Sequence, residues 1–545
     1  MEFKKKQVSN LKLNDLKTKI LSPNFRLLQF VLVLYLFHFP GEWIWKSWVF
    51  YHSNFINFLF GSYCLTEYWF HSKENHQSNI LAIIKMIFFC LLVFSLNYQW
   101  IFQTEIRFSL VTYAILQSKD ILFDSVSFIA LWQLVHYFPF LILLANHVTR
   151  ILKSHIGFGL AILIYFLIVW TTPLQRETEG DLHRASVRNQ NVNRNLDHIP
   201  ENTNIVMVVL EGVSRKHILE QKSRYIDYSK LNGSHFFIPM PHTSKSLYTW
   251  MTGDPGLGST RIESENMDLD FNLPKYLKNS HQYKTEMWYT QSIYFEGMEQ
   301  FFPKIFNSVW DKTKFELEYK DQFTTFSWGM DDNVILSHLK YFPKDKFPFF
   351  LFIGLSQTHS PYFVVSKENK SPSKLVRHQN ALMENTKLID AIIGELKSKF
   401  EAETLLIITS DHGESFGEEG AQIHNYSLYN QEIDVPFLFY FLKKDELYVP
   451  NLGSSIHFKD TMVALLSKGK NKITETNQFF SDEYKLQLQC KTWNSEIQRG
   501  LIFDGKKYIF HNDVGILYEM DLDDSGRNAI TNQKKKNTLL NMMFK

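Results

Sequence analysis

Cysteine is nearly missing from this sequence: Cys64, Cys90 and Cys490 are the only three in 545 residues. Two of them fall in the apolar first third, so the polar remainder holds a single thiol and can contain no internal disulfide. Its stability must come from packing, and a stretch of about 350 residues can bury a core large enough for that. Internal repeats and low-complexity tracts are lacking as well. The first apolar run follows a long polar arm and is not followed by a small-residue cleavage site, so no removable signal peptide is expected. Net charge is only +2, from 58 basic and 56 acidic residues, and no nucleic-acid partner is expected.

That small average conceals a change of solvent along the chain. Up to about residue 172 the sequence is rich in Phe, Leu, Ile, Trp and Tyr, and beyond it charged residues alternate with short apolar runs. Residues 79–102, 121–144 and 155–170 read as membrane spans, and 27–45 and 48–70 are long enough to cross a bilayer even though Pro40 and Glu42 interrupt the first of them. Residues 26–172 are therefore expected to form a membrane domain of about five helices. Lys4, Lys5, Lys6, Lys12, Lys17 and Lys19 precede the first span, which puts the basic arm 1–25 in the cytoplasm. An odd number of crossings then places everything after Trp170 outside, with Arg150 and Lys153 in an inner loop, while the loop 107–119 fits the rule less well.

Residues 173–203 carry Arg176, Glu177, Glu179, Asp181, Arg184, Arg188 and Arg194, and read as a solvated linker or juxtamembrane helix. Beyond it, the apolar runs 205–210, 349–354, 404–408 and 435–441 read as buried strands, and 382–400 as an amphipathic helix between them. Strands alternating with helices indicate an α/β fold with a mostly parallel sheet covered on both faces.

Three of these strands run into polar groups. Glu211 follows the first, His359 the second, and Ser410-Asp411-His412-Gly413-Glu414-Ser415-Phe416-Gly417-Glu418-Glu419-Gly420 the third, with His424 beyond. The carboxyl ends of parallel strands are where α/β proteins bind ligands, and Asp beside His offers oxygen and nitrogen to a zinc-like ion. Singly, a Glu after a strand is ordinarily a helix N-terminal residue and a lone His is structural. The segment His242-Thr243-Ser244-Lys245-Ser246-Leu247, ending in Thr252-Gly253, contributes hydroxyls. Such residues are common helix caps. Beside a divalent cation, however, a hydroxyl becomes a nucleophile, and a helix N-terminus favours an anionic phosphoryl group.

The order Glu211, Thr243, His359 in Thr-His-Ser-Pro-Tyr, and then Ser410 to Gly420 with His424 resembles the alkaline phosphatase and sulfatase superfamily. Within it the chain looks like the membrane-anchored phosphoethanolamine transferases and lipoteichoic acid synthases. The resemblance implies a helical membrane anchor followed, over 204–545, by an extracytoplasmic α/β/α sandwich with a small C-terminal subdomain. It implies that Glu211, Asp411, His412 and Thr243 ligate the catalytic metal, with Thr243 also the nucleophile, and that His359 and His424 bind substrate phosphate, or a second metal as in some members. Trp328 to Asp331 and the aromatic run near Trp288 resemble positions around the head-group pocket. Phe510 and Tyr518 to Asn528 resemble the closing hairpin of sulfatases.

Departures narrow the expectation. Sulfatases mature a Cys or Ser that is followed by Pro and Arg at fixed spacing, yet residues 242–253 contain no cysteine, proline or arginine. The expected activity is transfer of a phospholipid-derived phosphoethanolamine or phosphoglycerol group to an envelope glycan or glycolipid, at a bacterial inner membrane with the catalytic domain facing the periplasm. Zinc is the preferred metal, with manganese and magnesium as alternatives. Water as the acceptor would make the chain a phosphodiesterase or phosphatase instead, and a non-catalytic envelope protein on the same fold is the third reading.

Overall fold

The computed structural model describes residues 192–256, 271–294, 298–326, 328–344, 348–365, 371, 373–467, 478–492, 498–512 and 514–544. Among these residues no helix is long and apolar enough to cross a membrane. The basic arm, the expected spans and the larger part of the linker lie outside them.

In chain order the first strands are β1 (Val192–Asn193), β2 (Asn204–Leu210), β3 (His235–Phe237), β4 (Lys284–Tyr289), β5 (Ser308–Trp310), β6 (Phe349–Leu355), β7 (Thr404–Ser410), β8 (Ser415–Phe416) and β9 (Gln422–Ile423). They are followed by β10 (Phe437–Phe441), β11 (Glu446–Tyr448), β12 (Leu452–Ser454), β13 (Leu488–Lys491), β14 (Gln498–Phe503), β15 (Lys506–His511), β16 (Ile516–Met520) and β17 (Asn528–Ala529). The helices that matter here are α1 (Thr243–Thr252), α2 (Asn333–Tyr341), α3 (Lys374–Lys399), α4 (Phe458–Leu466) and α5 (Gln533–Met543).

The central sheet has the order β1-β11-β10-β7-β2-β6-β4-β5. From β7 to β5 every pair is parallel, and β10 runs antiparallel to both β7 and β11. The four apolar runs read as strands are all in it, as β2, β6, β7 and β10. Strand alternation divides each of them between two cores. Ile205, Met207 and Val209 of β2 join Leu247, Trp250 and Met251 of α1 and Phe458 and Met462 of α4. Val206, Val208 and Leu210 join Val334, Ile335 and Leu339 of α2 and Ile389, Ile392 and Ile393 of α3. Helices thus cover both faces, which is why the strands read as continuous apolar runs rather than alternating ones.

Strand β4 escaped the sequence reading because Lys284, Thr285 and Glu286 break its apolar pattern. Two of those groups are satisfied inside: the Thr285 hydroxyl donates to Asn307 at 3.0 Å, and Glu286 accepts from the Trp288 indole at 3.1 Å. Two expectations need correction. The linker's last part, 192–203, is no helix: β1 pairs with β11, and Leu196 and Ile199 are buried in the first core. Its apolar residues dock it onto the domain, which a reading of its charges alone does not reveal. Trp288 is also not at a pocket. It is fully buried, with His338 at 4.6 Å and Phe342 at 5.3 Å between ring centroids.

Toward the C-terminus β13 to β17 form an antiparallel five-stranded sheet, and Leu539 and Met543 of α5 pack on Leu501, Tyr508 and Leu517 to give it a core of its own. Lys507 of β15 is buried and ties this sheet to the main domain, pairing with Asp524 and donating to Asn430 Oδ1 at 2.6 Å.

His338 lies between Trp288 and Trp310, with the Tyr319 hydroxyl 2.9 Å from Nδ1, and burial lowers its pKa to about 4 despite the opposing charge of Glu286. A depressed pKa means stability that is complete above the unfolded value of roughly 6.5 and is lost as pH falls toward the folded value. Between pH 6.5 and 4 the urea midpoint of the wild type should therefore fall further than that of His338→Phe, by an amount worth about 1–2 kcal/mol after allowance for partial exposure. Parallel midpoint-against-pH curves for the two proteins would refute this account.

Candidate active site

Strand register brings the acidic groups together. Leu210 pairs with Ser410, so the residues that follow, Glu211 and Asp411, leave β2 and β7 side by side at the carboxyl end of the sheet. With His412 they offer ligand atoms that all lie within 4.8 Å of one another, and all three side chains are buried. Thr243 reaches the cluster from α1, where it is the first helical residue behind the cap residue His242. Its hydroxyl does not serve as a cap. Thr243 Oγ1 donates to Glu211 Oε1 at 3.1 Å and stands 3.1 Å from His412 Nε2.

The backbone explains how such a cluster is tolerated. Asp411 Oδ1 accepts from the amides of Gly212 at 3.0 Å and His412 at 2.7 Å. The Thr358 hydroxyl donates to the Glu211 carbonyl, and the Ser246 hydroxyl to the Asp411 carbonyl, which fastens the first turn of α1 to the end of β7. Gly413 follows because no side chain fits: a Cβ there would stand 2.0 Å from the backbone oxygen of Gln431. His378 on α3 contacts the carbonyl of Gly212 through Nε2 at 2.9 Å and so braces the turn between Glu211 and the rest of the site.

Electrostatics point to a cation. Burial, with the adjacent Glu211 charge, pushes the Asp411 carboxyl well above its ordinary range. At Glu211 burial acts in the same upward direction, but the hydrogen bond and charge of His412 outweigh it and hold that carboxyl low. Burial opposes protonation of His412, yet Asp411 and Glu211 raise it to about 10. The second oxygen of Asp411, Oδ2, is buried with no hydrogen-bond partner. An orphaned carboxylate oxygen beside another carboxylate and an imidazole is the donor set of a divalent metal, and the residues fit one.

Three histidines are oriented alike. His412 Nδ1 lies 2.9 Å from the Gly413 carbonyl and His359 Nδ1 2.8 Å from that of Ser360. A carbonyl only accepts, so Nδ1 carries the hydrogen in both and Nε2 of the neutral ring is left with its lone pair. His424 Nδ1 is engaged by Glu414 Oε2 at 2.9 Å, and its ring centroid lies 4.1 Å from that of His412. His359 is 6.2 Å from His424 on the same measure, and the Trp328 ring lies 5.8 Å from His359. The structure therefore gathers Glu211, Thr243, Asp411 and His412 into one cluster and sets His424 and His359 beside it in a row.

Glu419 is elsewhere. It pairs with Arg527 of the C-terminal segment at 2.6 Å, and the Tyr429 hydroxyl accepts from the same guanidinium nitrogen. Sequence reasoning assigned no role to Gln291, whose amide donates to Glu211 Oε2 at 2.9 Å, or to Thr358, Ser246, His378 and Glu414. Only Gln291 had a usable signal, since it lies two residues beyond a strand end as Glu211 lies one beyond β2; that signal was lost with β4.

Residues 203–468 match the sequence model of the family described as Sulfatase, and this part of the chain has an alkaline-phosphatase-like α/β fold with a mostly parallel sheet. Solved structures similar to the chain include a protein of the alkaline phosphatase superfamily from Vibrio parahaemolyticus, at 16% identity and TM-score 0.48, covering 64% of this chain and 86% of that one. The lipoteichoic acid synthase LtaP from Listeria monocytogenes is similar at 15% identity and TM-score 0.42, covering 63% and 91%. The C-terminal periplasmic domain of EcEptC from Escherichia coli is similar at 15% identity and TM-score 0.40, covering 55% and 93%. None of the curated proteins matches the chain in sequence.

Replacing Gly413 by Ala should force the motif loop away from Gln431 and destabilise the domain by roughly 2–3 kcal/mol, read as a lower urea midpoint. An unchanged midpoint would mean that the close approach is not a constraint.

Proposed function

We propose that this chain is a metal-dependent phosphotransferase of the bacterial cell envelope, moving a phospholipid-derived phosphoethanolamine or phosphoglycerol group to an envelope glycan or lipid. The observation that carries the reading is Thr243 Oγ1, 3.1 Å from both Glu211 Oε1 and His412 Nε2 in a buried acidic pocket. A divalent cation, zinc before manganese or magnesium, would be held by Glu211, Asp411, His412 and Thr243, and supplies charge that lowers the pKa of a hydroxyl and neutralises phosphoryl oxygens.

The chain's own residues account for the remaining steps. Glu211 Oε1 accepts the Thr243 hydroxyl hydrogen, and the hydroxyl sits at the first turn of a ten-residue helix whose amide dipoles favour an incoming phosphate. As the bond from Thr243 Oγ1 to phosphorus forms, the bond to the diacylglycerol oxygen breaks, and the proton given up by Thr243 ends on that oxygen, so diacylglycerol leaves as an alcohol. The acceptor hydroxyl then attacks the phospho-threonine, the bond from phosphorus to Thr243 Oγ1 breaks, and the acceptor's proton passes to Oγ1, which restores the Thr243 hydroxyl. His424 and His359 are set to hold phosphoryl oxygens, and Trp328 flanks the head group. Sulfate ester chemistry is disfavoured because residues 242–253 lack the Cys, Pro and Arg that aldehyde maturation requires. The apolar first third would keep this site at the leaflet that holds the donor.

Membranes containing the full-length chain, supplied with head-group-labelled phosphatidylethanolamine or phosphatidylglycerol, should move one label onto a glycan or lipid acceptor. Thr243→Ala should reduce that transfer on the order of a thousandfold or more while leaving thermal unfolding unchanged. Near-normal turnover in Thr243→Ala rules out the covalent route, and label recovered only as free soluble head group makes the protein a hydrolase.

A further inference from the structure

Glu211 has two oxygens, and the fold uses them differently. Oε1 faces Thr243 and His412, at 3.1 and 3.3 Å. Oε2 is taken by Gln291, whose Nε2 donates to it at 2.9 Å. The amide is itself held, because the Tyr289 hydroxyl donates to Gln291 Oε1 at 2.9 Å. Turning the amide over would set its oxygen against Glu211 Oε2, acceptor against acceptor, whereas the present orientation satisfies both Glu211 Oε2 and the Tyr289 hydroxyl.

This relay is built into the sheet. Tyr289 is the last residue of β4 and pairs with Gly354 of β6, and its ring lies directly over that glycine. A Cβ on Gly354 would stand 2.2 Å from the Tyr289 ring, so the ring has its place only because residue 354 has no side chain. Thr290 then donates from its amide to the Gly354 carbonyl at 3.1 Å, which fixes the backbone immediately before Gln291. Tyr289 and Gln291 are both buried.

We propose that Gln291, oriented by Tyr289, is a positioning residue that holds Glu211 as a one-oxygen ligand, and so fits the centre to a small zinc-like cation rather than to a larger calcium-like one. The inference rests on the metal centre put forward above. Zinc sites take roughly four ligands, and Glu211, Asp411, His412 and Thr243 supply that number when each gives one atom. Calcium takes roughly six to eight oxygens and commonly uses both oxygens of a carboxylate. Engaging Oε2 with an N–H removes that option at Glu211. Partners of this kind orient a ligand without touching the metal, and their loss typically costs about 10–100-fold in affinity.

The test is calorimetric titration of the metal-stripped full-length chain with zinc chloride and, separately, calcium chloride, for the wild type, Gln291→Leu and Tyr289→Phe. Gln291→Leu should weaken zinc binding by about 10–100-fold and leave calcium binding unchanged or stronger, so that the zinc-to-calcium affinity ratio falls at least about tenfold. Tyr289→Phe keeps the ring over Gly354 and should move the ratio in the same direction by a smaller factor. Thermal midpoints of the metal-free proteins report folding, and if Gln291→Leu does not fold, the Tyr289→Phe ratio decides. A ratio equal to that of the wild type, or an equal loss of both ions, overturns the inference while leaving the metal centre standing. A wild-type chain that takes up neither ion removes the centre, and the inference with it.

Discussion

Two carboxylates placed side by side without water are the constraint from which the rest of this domain follows. Unit charges about 4 Å apart repel by roughly 4 kcal/mol even at an effective dielectric of about 20, before the cost of removing each from solvent. The sheet accepts this at the one place where Leu210 and Ser410 end their pairing and the chain turns out of the layer. Backbone amides of Gly212 and His412 meet one Asp411 oxygen, Gln291 meets one Glu211 oxygen, and the remaining oxygens are turned toward His412 and Thr243. An arrangement that leaves Asp411 Oδ2 buried and unsatisfied is costly for stability alone, and it is economical only if a cation completes it.

The supporting structure serves that centre. Helices on both faces exclude water from β2, β6 and β7, so that charges at their ends act in a medium where they are strong. Helix α1 is fastened to β7 through Ser246, which sets the Thr243 hydroxyl on the cluster instead of on its own helix as a cap. His378 reaches from α3, on the opposite face, to the Gly212 carbonyl. The two helix layers therefore hold the ends of β7 and β2 from opposite faces of the sheet.

A row of imidazoles leads outward from the buried cluster. His412, His424 and His359 each have Nδ1 engaged, by a carbonyl or by Glu414, and their rings follow one another toward Trp328. That row gives the site a direction, with the acidic centre at its inner end. The five-stranded C-terminal sheet meets the motif loop from another side, where Arg527 holds Glu419 and Tyr429. Glu419 is thereby bound in a surface ion pair and stays out of the buried acidic cluster, although it belongs to the same short motif as Asp411 and His412.

The amino-acid sequence by itself determined the buried strands and the residue types at their ends. Continuous apolar runs such as 404–408 have few alternatives in a sheet covered on both faces, and an Asp-His pair directly after one is placed by chain connectivity. Chain connectivity also made the Ser410 to Gly420 motif legible as a family resemblance. Only the tertiary structure decided what depends on partners distant along the chain. It set Thr243 on Glu211 rather than on its own helix, bound Gln291 to Glu211 across 80 residues, and buried Trp288 among aromatic rings away from the site. It hid the polar groups of β4 in internal hydrogen bonds and docked residues 192–203 onto the core. Local pattern reports which face of a strand is apolar, whereas a hydrogen bond across the sheet depends on register and layer order, which no short window of residues contains.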